Sequence, residues 1–262
     1  GVRFFDRRVA AQEILDGLAR QTLLGEVVHH QRDLRGARQR LPQRAHLGAG
    51  DVGQHGAALG GGIEAALDKV EASKEPTALV TVGAGKFYSN GLDLAWMSQA
   101  GAPAATENVQ RVHELLVRML TFPVITVAAL NGHAFAAGAM LALAHDFRVM
   151  RKDRGYFCLP EVDIQIPFTK TMQSLIIARL PKRTAHEACV TGRRYGGDVA
   201  LERGIVDQVE DEADVLPKAI ALAKSFAGKH RSTLSTIKRG AYAEVLASLE
   251  ADRGKHIAPI SG

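Results

Sequence analysis

The segment from residue 123 to residue 150 constrains the fold more than any other part of this chain. It begins with PVITVAAL, a short and almost wholly apolar run rich in β-branched residues, which predicts a strand buried on both faces. Asn131-Gly132 ends this strand, residues 136–144 predict a tightly packed helix of small residues, and residues 147–150 predict the next strand. The helix therefore begins at the carboxyl end of a strand, where its first N–H groups suit a developing negative charge.

The rest of the chain after residue 60 also alternates between helix and strand. Residues 63–74 have helical spacing up to Pro76, residues 78–82 (ALVTV) predict a buried strand, and residues 107–120 predict a strongly amphipathic helix. Gly101 and Pro103 are predicted to interrupt the chain before that helix. Beyond Pro167 the pattern is mainly helical, over residues 171–180, 183–192, 216–229 and 232–252, with a short helix and a strand within 196–209. This alternation predicts an α/β fold.

The first 60 residues differ from the remainder in composition. Residues 9–24 could form one amphipathic helix, with Ile14, Leu15 and Leu18 on one face, but the following stretch is dense in Arg, Gln, His and Gly and has no clear period. We expect an atypical basic arm that is poorly ordered, and a basic tail that touches phosphates is the alternative. The predicted organisation is this arm over 1–60, an α/β core over 61–200 and a helical region over 201–262.

Composition excludes several classes of protein. The formal net charge of +5 indicates either an ordinary, mildly basic protein or a preference for an anionic ligand, and no cluster of basic and aromatic residues after position 50 favours nucleic acid. No apolar run approaches 18 residues, so no membrane span is predicted. Cys158 and Cys189 lack a CxxC partner, which argues against a disulfide framework or a zinc site and fits a reducing compartment.

Some candidate motifs fail on their own residues. Gly85-Lys86 resembles the end of a phosphate-binding loop, but the first glycine and the final Ser/Thr of that motif are missing. Ser89 does not lie in a nucleophile elbow, because Phe87 replaces the first glycine that the elbow requires. The histidines, including His113, His133 and His145, show no metal-ligand spacing, so we expect satisfied or solvated side chains and no metal site.

Two loops of the same shape remain, FYSNGLDL after the strand at 78–82 and NGHAFAAG after the strand at 124–130. Each places the start of a helix beside a Gly or Ala, where a ligand can approach the backbone closely. Either loop alone is compatible with an ordinary turn between a strand and a helix. The pair, followed by a carboxylate at Glu161, predicts an oxyanion hole with two N–H donors, each worth roughly 3–4 kcal/mol of transition-state stabilisation.

Three motifs in this order, SNGLDL, NGHAFAAGAMLALAHDFRVM and LPEVDIQIP, resemble the crotonase (enoyl-CoA hydratase/isomerase) superfamily, over about residues 63–247. Within the superfamily they look most like the plant-type peroxisomal Δ3,Δ2-enoyl-CoA isomerases. The resemblance implies a crotonase-like spiral of ββα units followed by C-terminal helices that assemble trimers. It also implies an acyl-CoA thioester as substrate, and no cofactor apart from the CoA within that substrate.

The resemblance assigns roles to individual residues. The backbone N–H groups of Leu92 and Ala137 would hold the thioester oxygen, and Glu161 would be the catalytic base. Five further residues would line the substrate, namely Ser89, Asn90, Gly91, Gly138 and Met140. Lys238, in STIKRGAY, resembles a family position that approaches the CoA phosphates, and a plain surface lysine is the alternative.

Acidic residues separate the two main activities of this family. In this family, hydratases use two glutamates. The first glutamate lies two positions after the Ala-Ala-Gly triplet, where this chain has Met140, and the second follows a proline, where this chain has Glu161. A methionine can neither hold nor activate water, so a single base at Glu161 favours moving a proton over adding water. Apolar neighbours such as Phe157, Leu159 and Ile164 would raise the pKa of this base. Asp163 could couple to Glu161 if the segment is extended, and a solvated Asp163 is the alternative.

The resemblance therefore predicts a Δ3,Δ2-enoyl-CoA isomerase of fatty-acid β-oxidation. A 2-enoyl-CoA hydratase or another crotonase activity is the first alternative, and a catalytically weak CoA-binding or interaction protein is the second. The family normally opens with a β-hairpin that helps to bind CoA, and residues 1–60 show no such pattern. The resemblance implies a homotrimer or a dimer of trimers in the peroxisome, although the chain ends Ile-Ser-Gly without a Ser-Lys-Leu-type signal. A cytoplasmic location is the alternative.

Overall fold

The computed structural model describes residues 23–29 and 61–255, which form two β-sheets and the helices around them. The larger sheet has the order β1 (Leu23–His29), β2 (Thr77–Gly83), β4 (Thr126–Leu130), β6 (Phe147–Arg151) and β8 (Gln208–Glu210). β1 is antiparallel to β2, and the other neighbours are parallel. The smaller sheet consists of β3 (Phe87–Ser89), β5 (His133–Phe135) and β7 (Phe157–Cys158), which are all parallel.

The helices follow the strands in a repeating order. They are α1 (Gly61–Ala72), α2 (Leu94–Ala100), α3 (Ala102–Leu120), α4 (Ala137–Ala144), α5 (Lys170–Arg179), α6 (Lys182–Thr191), α7 (Gly197–Glu202), α8 (Glu212–Phe226), α9 (Arg231–Ala241) and α10 (Ala243–Asp252). Three times, a strand of the larger sheet is followed by a strand of the smaller sheet and then by a helix: β2–β3–α2, β4–β5–α4 and β6–β7–α5. This repeat confirms the predicted α/β spiral of ββα units.

Apolar residues on both faces of the larger sheet form the core. All five residues of β4 are buried, as the PVITVAAL run predicts. On one face Val80, Val127 and Val149 pack in one cluster with alanines of α8, and on the other face Leu79 and Met150 belong to a cluster with α3 and α4. The sheet is therefore covered on both sides, which is the usual state of a parallel sheet.

Two helix predictions need correction. α3 begins at Ala102 rather than near residue 107, because Pro103 lies in its first turn, where a missing N–H costs no helical hydrogen bond. The single C-terminal helix predicted over 232–252 is broken between α9 and α10 at Tyr242. Arg179 Nη1 donates to the Tyr242 hydroxyl at 2.6 Å, and Gly240 lowers the helical propensity of the preceding turn.

The N-terminal arm contributes one strand that its sequence does not indicate. β1 pairs with β2 from Leu23 opposite Gly83 to His29 opposite Thr77. The prediction of a helix over 9–24 is therefore wrong at Leu23 and Leu24, and the rest of that prediction lies outside the described residues. Main-chain pairing explains the difference, because β1 covers an edge of β2 that would otherwise have unpaired N–H and C=O groups.

The region after residue 200 supplies part of the same core. β8 pairs with the edge of β6, and Val215, Ala219 and Ala223 of α8 pack on the larger sheet. The described part of residues 201–262 is therefore packed on the α/β body as well as being mainly helical. None of the helices in the described residues is both long enough and apolar enough to cross a bilayer.

Candidate active site

Two predicted loops begin where two neighbouring strands of the smaller sheet end. β3 ends at Ser89, and residues 90–93 lead into α2, where the Asp93 carboxylate accepts from the N–H of Trp96 at 2.9 Å and caps the helix. β5 ends at Phe135, and Ala136, with a φ of 50°, turns the chain directly into α4. The first amides of a helix have no partner inside that helix. Each loop therefore presents main-chain donors at the carboxyl edge of the smaller sheet.

These two loops pack directly against each other. A Cβ atom built on Gly91, whose φ is +90°, would lie 3.0 Å from the carbonyl oxygen of Phe135 and 3.1 Å from the backbone nitrogen of Ala137. A Cβ atom on Gly138 would lie 2.4 Å from the carbonyl oxygen of Ser89. Glycine is required at position 138 because the backbones approach too closely for a side chain, and it is favoured at position 91 because of the positive φ and the tight contact. The structure thus brings the predicted donor segments at 91–92 and 136–138 together.

The two predicted donors have unused hydrogen-bonding capacity. Within the part of the chain that the structure describes, no acceptor is recorded for the N–H of Leu92 or of Ala137. Ala137 is only 3% exposed, and Met140, in the first turn of the same helix, is only 1% exposed. A buried N–H group without a partner is costly, so such donors are typical of a site that a ligand completes.

Glu161 follows the third strand of the smaller sheet. β5 and β7 pair, and the N–H of Ala136 donates to the carbonyl oxygen of Cys158 at 3.1 Å, which joins the second loop to the segment that contains Glu161. A turn then begins at Pro160, whose carbonyl accepts from the N–H of Asp163 at 2.8 Å. Parallel strands expose their carboxyl ends at one edge. The two loops and Glu161 therefore all follow the same edge of the smaller sheet.

The environment of Glu161 suits a base. The side chain is 6% exposed, and its Oε2 atom is buried without a hydrogen-bond partner among the described residues. Burial raises the pKa of Glu161 to about 7, against a smaller lowering by a backbone hydrogen bond. The raised pKa agrees with the expectation from its apolar neighbours. A carboxylate with this pKa exchanges its proton near neutral pH.

Asn90 is a second buried polar group at this edge. It lies between Ser89 and Gly91 and is 8% exposed, and neither its Oδ1 nor its Nδ2 atom has a partner in the described structure. Ser89, which is 5% exposed, accepts a long hydrogen bond of 3.4 Å from the N–H of Gly91. A buried amide that makes no hydrogen bond points to a ligand, because the protein otherwise loses the solvation of that group without compensation.

Lys238 lies in the interior of the protein, and not at the substrate or on the surface as predicted. It is 5% exposed, and its Nζ donates to the carbonyl oxygens of Phe122 and Val124 at 3.0 Å and to the Asp146 carboxylate at 2.7 Å. An ammonium group has three protons, and all three are used inside the protein. The predicted contact of Lys238 with the CoA phosphates is therefore wrong, and so is the alternative of a plain surface lysine.

The structure does not support coupling between Asp163 and Glu161. Residues 161–165 form turns rather than a strand, and Asp163 is exposed. The causes of the raised pKa of Glu161 are its burial and a backbone hydrogen bond, and Asp163 is not among them. The alternative of a solvated Asp163 agrees better with this geometry, because alternate residues share a face only in extended backbone.

The histidines differ from one another. His113 Nε2 lies 2.8 Å from the hydroxyl of Thr169, and His145 bonds through both ring nitrogens, so these two side chains are satisfied as expected. His133 is half-buried and its Nδ1 atom has no partner in the described structure, which differs from the expectation. Among the described residues, no group of three or more His, Cys, Asp or Glu side chains could hold a metal ion.

Comparison with known proteins identifies the family. Residues 56–256 match the model of the enoyl-CoA hydratase/isomerase family. Enoyl-CoA delta isomerase 3 of Arabidopsis thaliana is 38% identical over 185 residues, which are 66% of this chain and 76% of the relative. The peroxisomal enoyl-CoA delta isomerase 2 of the same plant is 36% identical over 64% of this chain and 74% of its own. A putative enoyl-CoA hydratase of Thermus thermophilus is 34% identical over 66% of this chain and 69% of its own.

Solved structures agree with the sequence relatives. The apo structure of a Mycobacterium tuberculosis enoyl-CoA isomerase superposes with a TM-score of 0.67 at 27% identity, over 73% of this chain and 82% of the other. The human mitochondrial delta3-delta2-enoyl-CoA isomerase, at 22% identity, has the same fold with a TM-score of 0.63 over 73% of this chain and 80% of the other. The chain therefore belongs to the enoyl-CoA hydratase/isomerase family and has the crotonase fold.

Proposed function

We propose that this protein is a Δ3,Δ2-enoyl-CoA isomerase that moves the double bond of a fatty acyl-CoA from C3 to C2 in fatty-acid β-oxidation. The observation behind the proposal is a single buried carboxylate, Glu161, with no hydrogen-bond partner at Oε2 and a pKa raised to about 7 by burial. Met140 occupies the position where the resemblance places the first glutamate of hydratases, and its buried thioether cannot activate water. One base without a water-holding partner suits a proton transfer along the acyl chain.

The proposed reaction is a 1,3-proton transfer. Glu161 removes a proton from C2 of the 3-enoyl-CoA, and the electron pair moves into a dienolate whose negative charge lies on the thioester oxygen. The N–H groups of Leu92 and Ala137 donate to that oxygen, and Glu161 returns the proton to C4. The carboxylate regains its charge at the end of the cycle. The chemistry therefore requires no cofactor beyond the CoA of the substrate.

Residues beside the donors fit a substrate-lining role. The unpartnered amide of Asn90 supports a hydrogen bond to the polar part of the acyl-CoA, either the thioester or the amide-bearing arm that follows it. Ser89, Gly91 and Gly138 lie where the two loops meet, and Met140 offers apolar surface near the first turn of α4. We assign these residues to the substrate pocket on that basis.

The proposal also covers the oligomeric state of the protein and its cellular compartment. Four large apolar side chains are 45–61% exposed on the helices after Pro167, namely Ile177, Val190, Leu201 and Ile237. Exposed apolar residues that lie singly are ordinary on a protein surface, so the proposal of a homotrimer or a dimer of trimers rests on the family resemblance. The relative named enoyl-CoA delta isomerase 2, peroxisomal supports a peroxisomal location. Light scattering on the purified protein tests the assembly, and a measured monomer would contradict it.

A single assay tests the reaction. We expect purified protein to convert 3-hexenoyl-CoA to the 2-enoyl isomer and Glu161→Gln to abolish the conversion. Full activity in the Glu161→Gln variant would exclude Glu161 as the base. Hydration of crotonyl-CoA at a comparable rate would favour the second candidate, a 2-enoyl-CoA hydratase, which the relative named putative enoyl-CoA hydratase supports. Binding of CoA without either turnover would instead indicate a catalytically weak binding protein.

A further inference from the structure

Three buried polar side chains connect the strand that precedes the first proposed oxyanion loop to the helix that follows the second. The hydroxyl of Tyr88 lies 2.8 Å from Oγ1 of Thr81, and the same Oγ1 atom lies 2.9 Å from Nε2 of His145. None of these three residues is more than 1% exposed. We call Tyr88, Thr81 and His145 the buried relay. It spans 64 positions between Thr81 and His145 and joins three different elements of the ββα spiral.

The direction of each hydrogen bond in the buried relay follows from chemistry. His145 Nδ1 lies 2.8 Å from the carbonyl oxygen of Leu141, which can only accept, so Nδ1 is the protonated nitrogen. Burial lowers the pKa of His145 to about 3, with the Arg148 cation adding to the effect and the Leu141 hydrogen bond opposing it, so the ring is neutral at physiological pH. Nε2 therefore accepts from the Thr81 hydroxyl, and Thr81 Oγ1 accepts from the Tyr88 hydroxyl.

The two ends of the buried relay belong to the elements that carry the two donor loops, although neither end touches a donor. Tyr88 belongs to β3, directly before the loop that ends at Leu92. His145 caps the carboxyl end of α4, the short helix whose first residue is Ala137. Thr81 lies between them in β2, whose last residue, Gly83, packs so tightly that a Cβ atom there would meet the backbone of Tyr88 at 2.4 Å. The relay thus ties the strand before the first donor and the carboxyl end of the helix after the second donor to β2 of the core sheet.

We propose that Tyr88, Thr81 and His145 are positioning residues that set the distance between the N–H groups of Leu92 and Ala137. The inference rests on the proposed oxyanion hole but not on which crotonase-type reaction the site performs. Two donors must converge on one oxygen atom, and a displacement of about 1 Å at such a site can cost as much as 10²-fold in rate. The relay is a chain of hydrogen bonds that all donate in one direction, and it fixes the position of β3 relative to α4.

Removal of the central hydroxyl would affect both ends at once. Thr81→Val keeps the shape of the side chain but leaves Nε2 of His145 without a donor and the Tyr88 hydroxyl without an acceptor. Both groups are buried, and buried polar groups without partners favour a shift of the backbone that finds new ones. We expect Thr81→Val to lower kcat about tenfold with KM unchanged, a smaller loss than the roughly 10²-fold or more that removal of a whole donor causes.

Conservative and matched variants separate positioning from packing. Thr81→Ser keeps the hydroxyl and should restore kcat to within about twofold of the wild type. Thr184→Val is the matched control, because Thr184 is also buried and donates to the carbonyl oxygen of Arg203 at 2.9 Å, far along the chain from both loops. It should lose stability without a change in kcat. Equal losses in Thr81→Ser and Thr81→Val, or a normal kcat in folded Thr81→Val, would overturn the proposal.

A spectroscopic readout keeps this test independent of the proposed reaction. The absorption of bound 2,4-hexadienoyl-CoA moves to longer wavelength when hydrogen bonds polarise its thioester carbonyl. We expect that shift in the wild type and in Thr81→Ser, and a smaller shift in Thr81→Val. If the wild type polarises the probe but does not isomerise 3-hexenoyl-CoA, the proposed function fails while the relay stands. If the wild type does not polarise the probe, the relay proposal fails.

A second variant covers the case in which Thr81→Val does not fold. Tyr88→Phe removes one oxygen atom from the end of the relay and leaves the Thr81–His145 hydrogen bond intact. Tyr88→Phe should lower kcat and the spectral shift in the same direction as Thr81→Val, but by a smaller amount, and it should leave KM unchanged. A Tyr88→Phe protein that is identical to the wild type in both measurements would overturn the role of Tyr88.

Discussion

Gly91 and Ala137 bring the two halves of the proposed oxyanion hole into contact. The position of a Cβ atom on Gly91 is only 3.1 Å from the backbone nitrogen of Ala137, and the residue has a φ of +90° that other residues rarely adopt. The backbone of Gly91, which directly precedes Leu92, therefore lies against the backbone that carries the Ala137 N–H. This contact joins two proposed donors that are 45 positions apart in sequence.

Gly91→Ala should lower kcat about tenfold, because the new methyl group would lie 3.0–3.1 Å from the backbone of the other loop and shift it by less than the roughly 1 Å that costs 10²-fold. The positive φ adds a cost of about 1–2 kcal/mol to the folded state. Gly85→Ala is the matched control, since Gly85 also has a positive φ of +66° but no atom lies within 4 Å of its Cβ position. Steady-state kinetics on both variants separate the two effects. A similar loss of kcat in both would mean that backbone strain, and not the contact, is responsible.

The pH dependence of the rate should report Glu161. The base must be ionised to remove a proton, and burial raises its pKa to about 7. We therefore expect kcat/KM to rise about tenfold per pH unit below neutrality and to level off above a pH of about 7. A profile that is already flat between pH 5 and pH 8 would exclude Glu161 as the titrating base.

The same pKa predicts a pH dependence of stability. The folded-state pKa of about 7 lies above the ordinary value of 4.5, so the folded protein binds the proton more tightly than the unfolded chain does. The free energy of unfolding should fall as the pH rises from about 4.5 through about 7, by at most about 3 kcal/mol. The free energy of unfolding of Glu161→Gln should lack this decline. Chemical denaturation at pH 5 and pH 8 measures the difference in the free energy of unfolding between the wild type and Glu161→Gln. If that difference is equal at the two pH values, the raised pKa of Glu161 is contradicted.

Asn90→Leu should make the protein more stable and less active. The substitution removes a buried amide that has no partner, which is worth about 1–3 kcal/mol of stability, and it also removes the proposed contact with the substrate. Asn131→Leu is the matched control, because Asn131 accepts from the N–H of Gly83 and donates to the carbonyl of Gly85. That control should be destabilised. Thermal unfolding and KM for 3-hexenoyl-CoA test both, and a less stable Asn90→Leu protein would argue for a structural role.

Lys238→Met should reduce stability without weakening the binding of acyl-CoA. Loss of the ammonium group leaves the Asp146 carboxylate without its ion-pair partner, at a cost of about 3–5 kcal/mol. Lys229→Met, at an exposed lysine, should change the free energy of unfolding by less than about 0.5 kcal/mol. Kinetics at a temperature where both variants are folded should give an unchanged KM. A large rise in KM for Lys238→Met alone would restore the predicted contact with the CoA phosphates.

Patterns of apolar residues predicted the strands that later proved to form the core sheet. PVITVAAL and ALVTV are long enough to show their character, and both match buried strands, β4 and β2. The smaller sheet could not be predicted in this way. Its strands have only two or three residues, too few to show a period, and they form because neighbouring segments supply main-chain partners. β1 has seven residues and was missed for a different reason, because its sequence LLGEVVH does not alternate regularly and the strand forms by main-chain pairing with β2.

The candidate site likewise has one part that the sequence predicted and another part that only the structure shows. Local motifs predicted the two loops as donors with a carboxylate downstream, and the family resemblance assigned the role of base to Glu161. The buried relay was missed, since Tyr88, Thr81 and His145 belong to no common motif and meet only in the folded chain. Lys238 was assigned to the substrate because it resembles a family position that approaches the CoA phosphates, whereas its ammonium group is enclosed by two carbonyls and a carboxylate.

The amino-acid sequence alone determined the family and the α/β alternation and predicted the residues of the candidate site, because these depend on local composition and on motifs of a few neighbouring residues. Only the tertiary structure decided which of these residues are buried, which have partners and which backbones touch. In the folded protein, burial raises the pKa of Glu161, and the buried amide of Asn90 has no hydrogen-bond partner among the described residues. Lys238 lies in the interior rather than in the predicted substrate pocket. The physical reason is that desolvation and hydrogen bonding depend on distances between segments that are far apart in the chain.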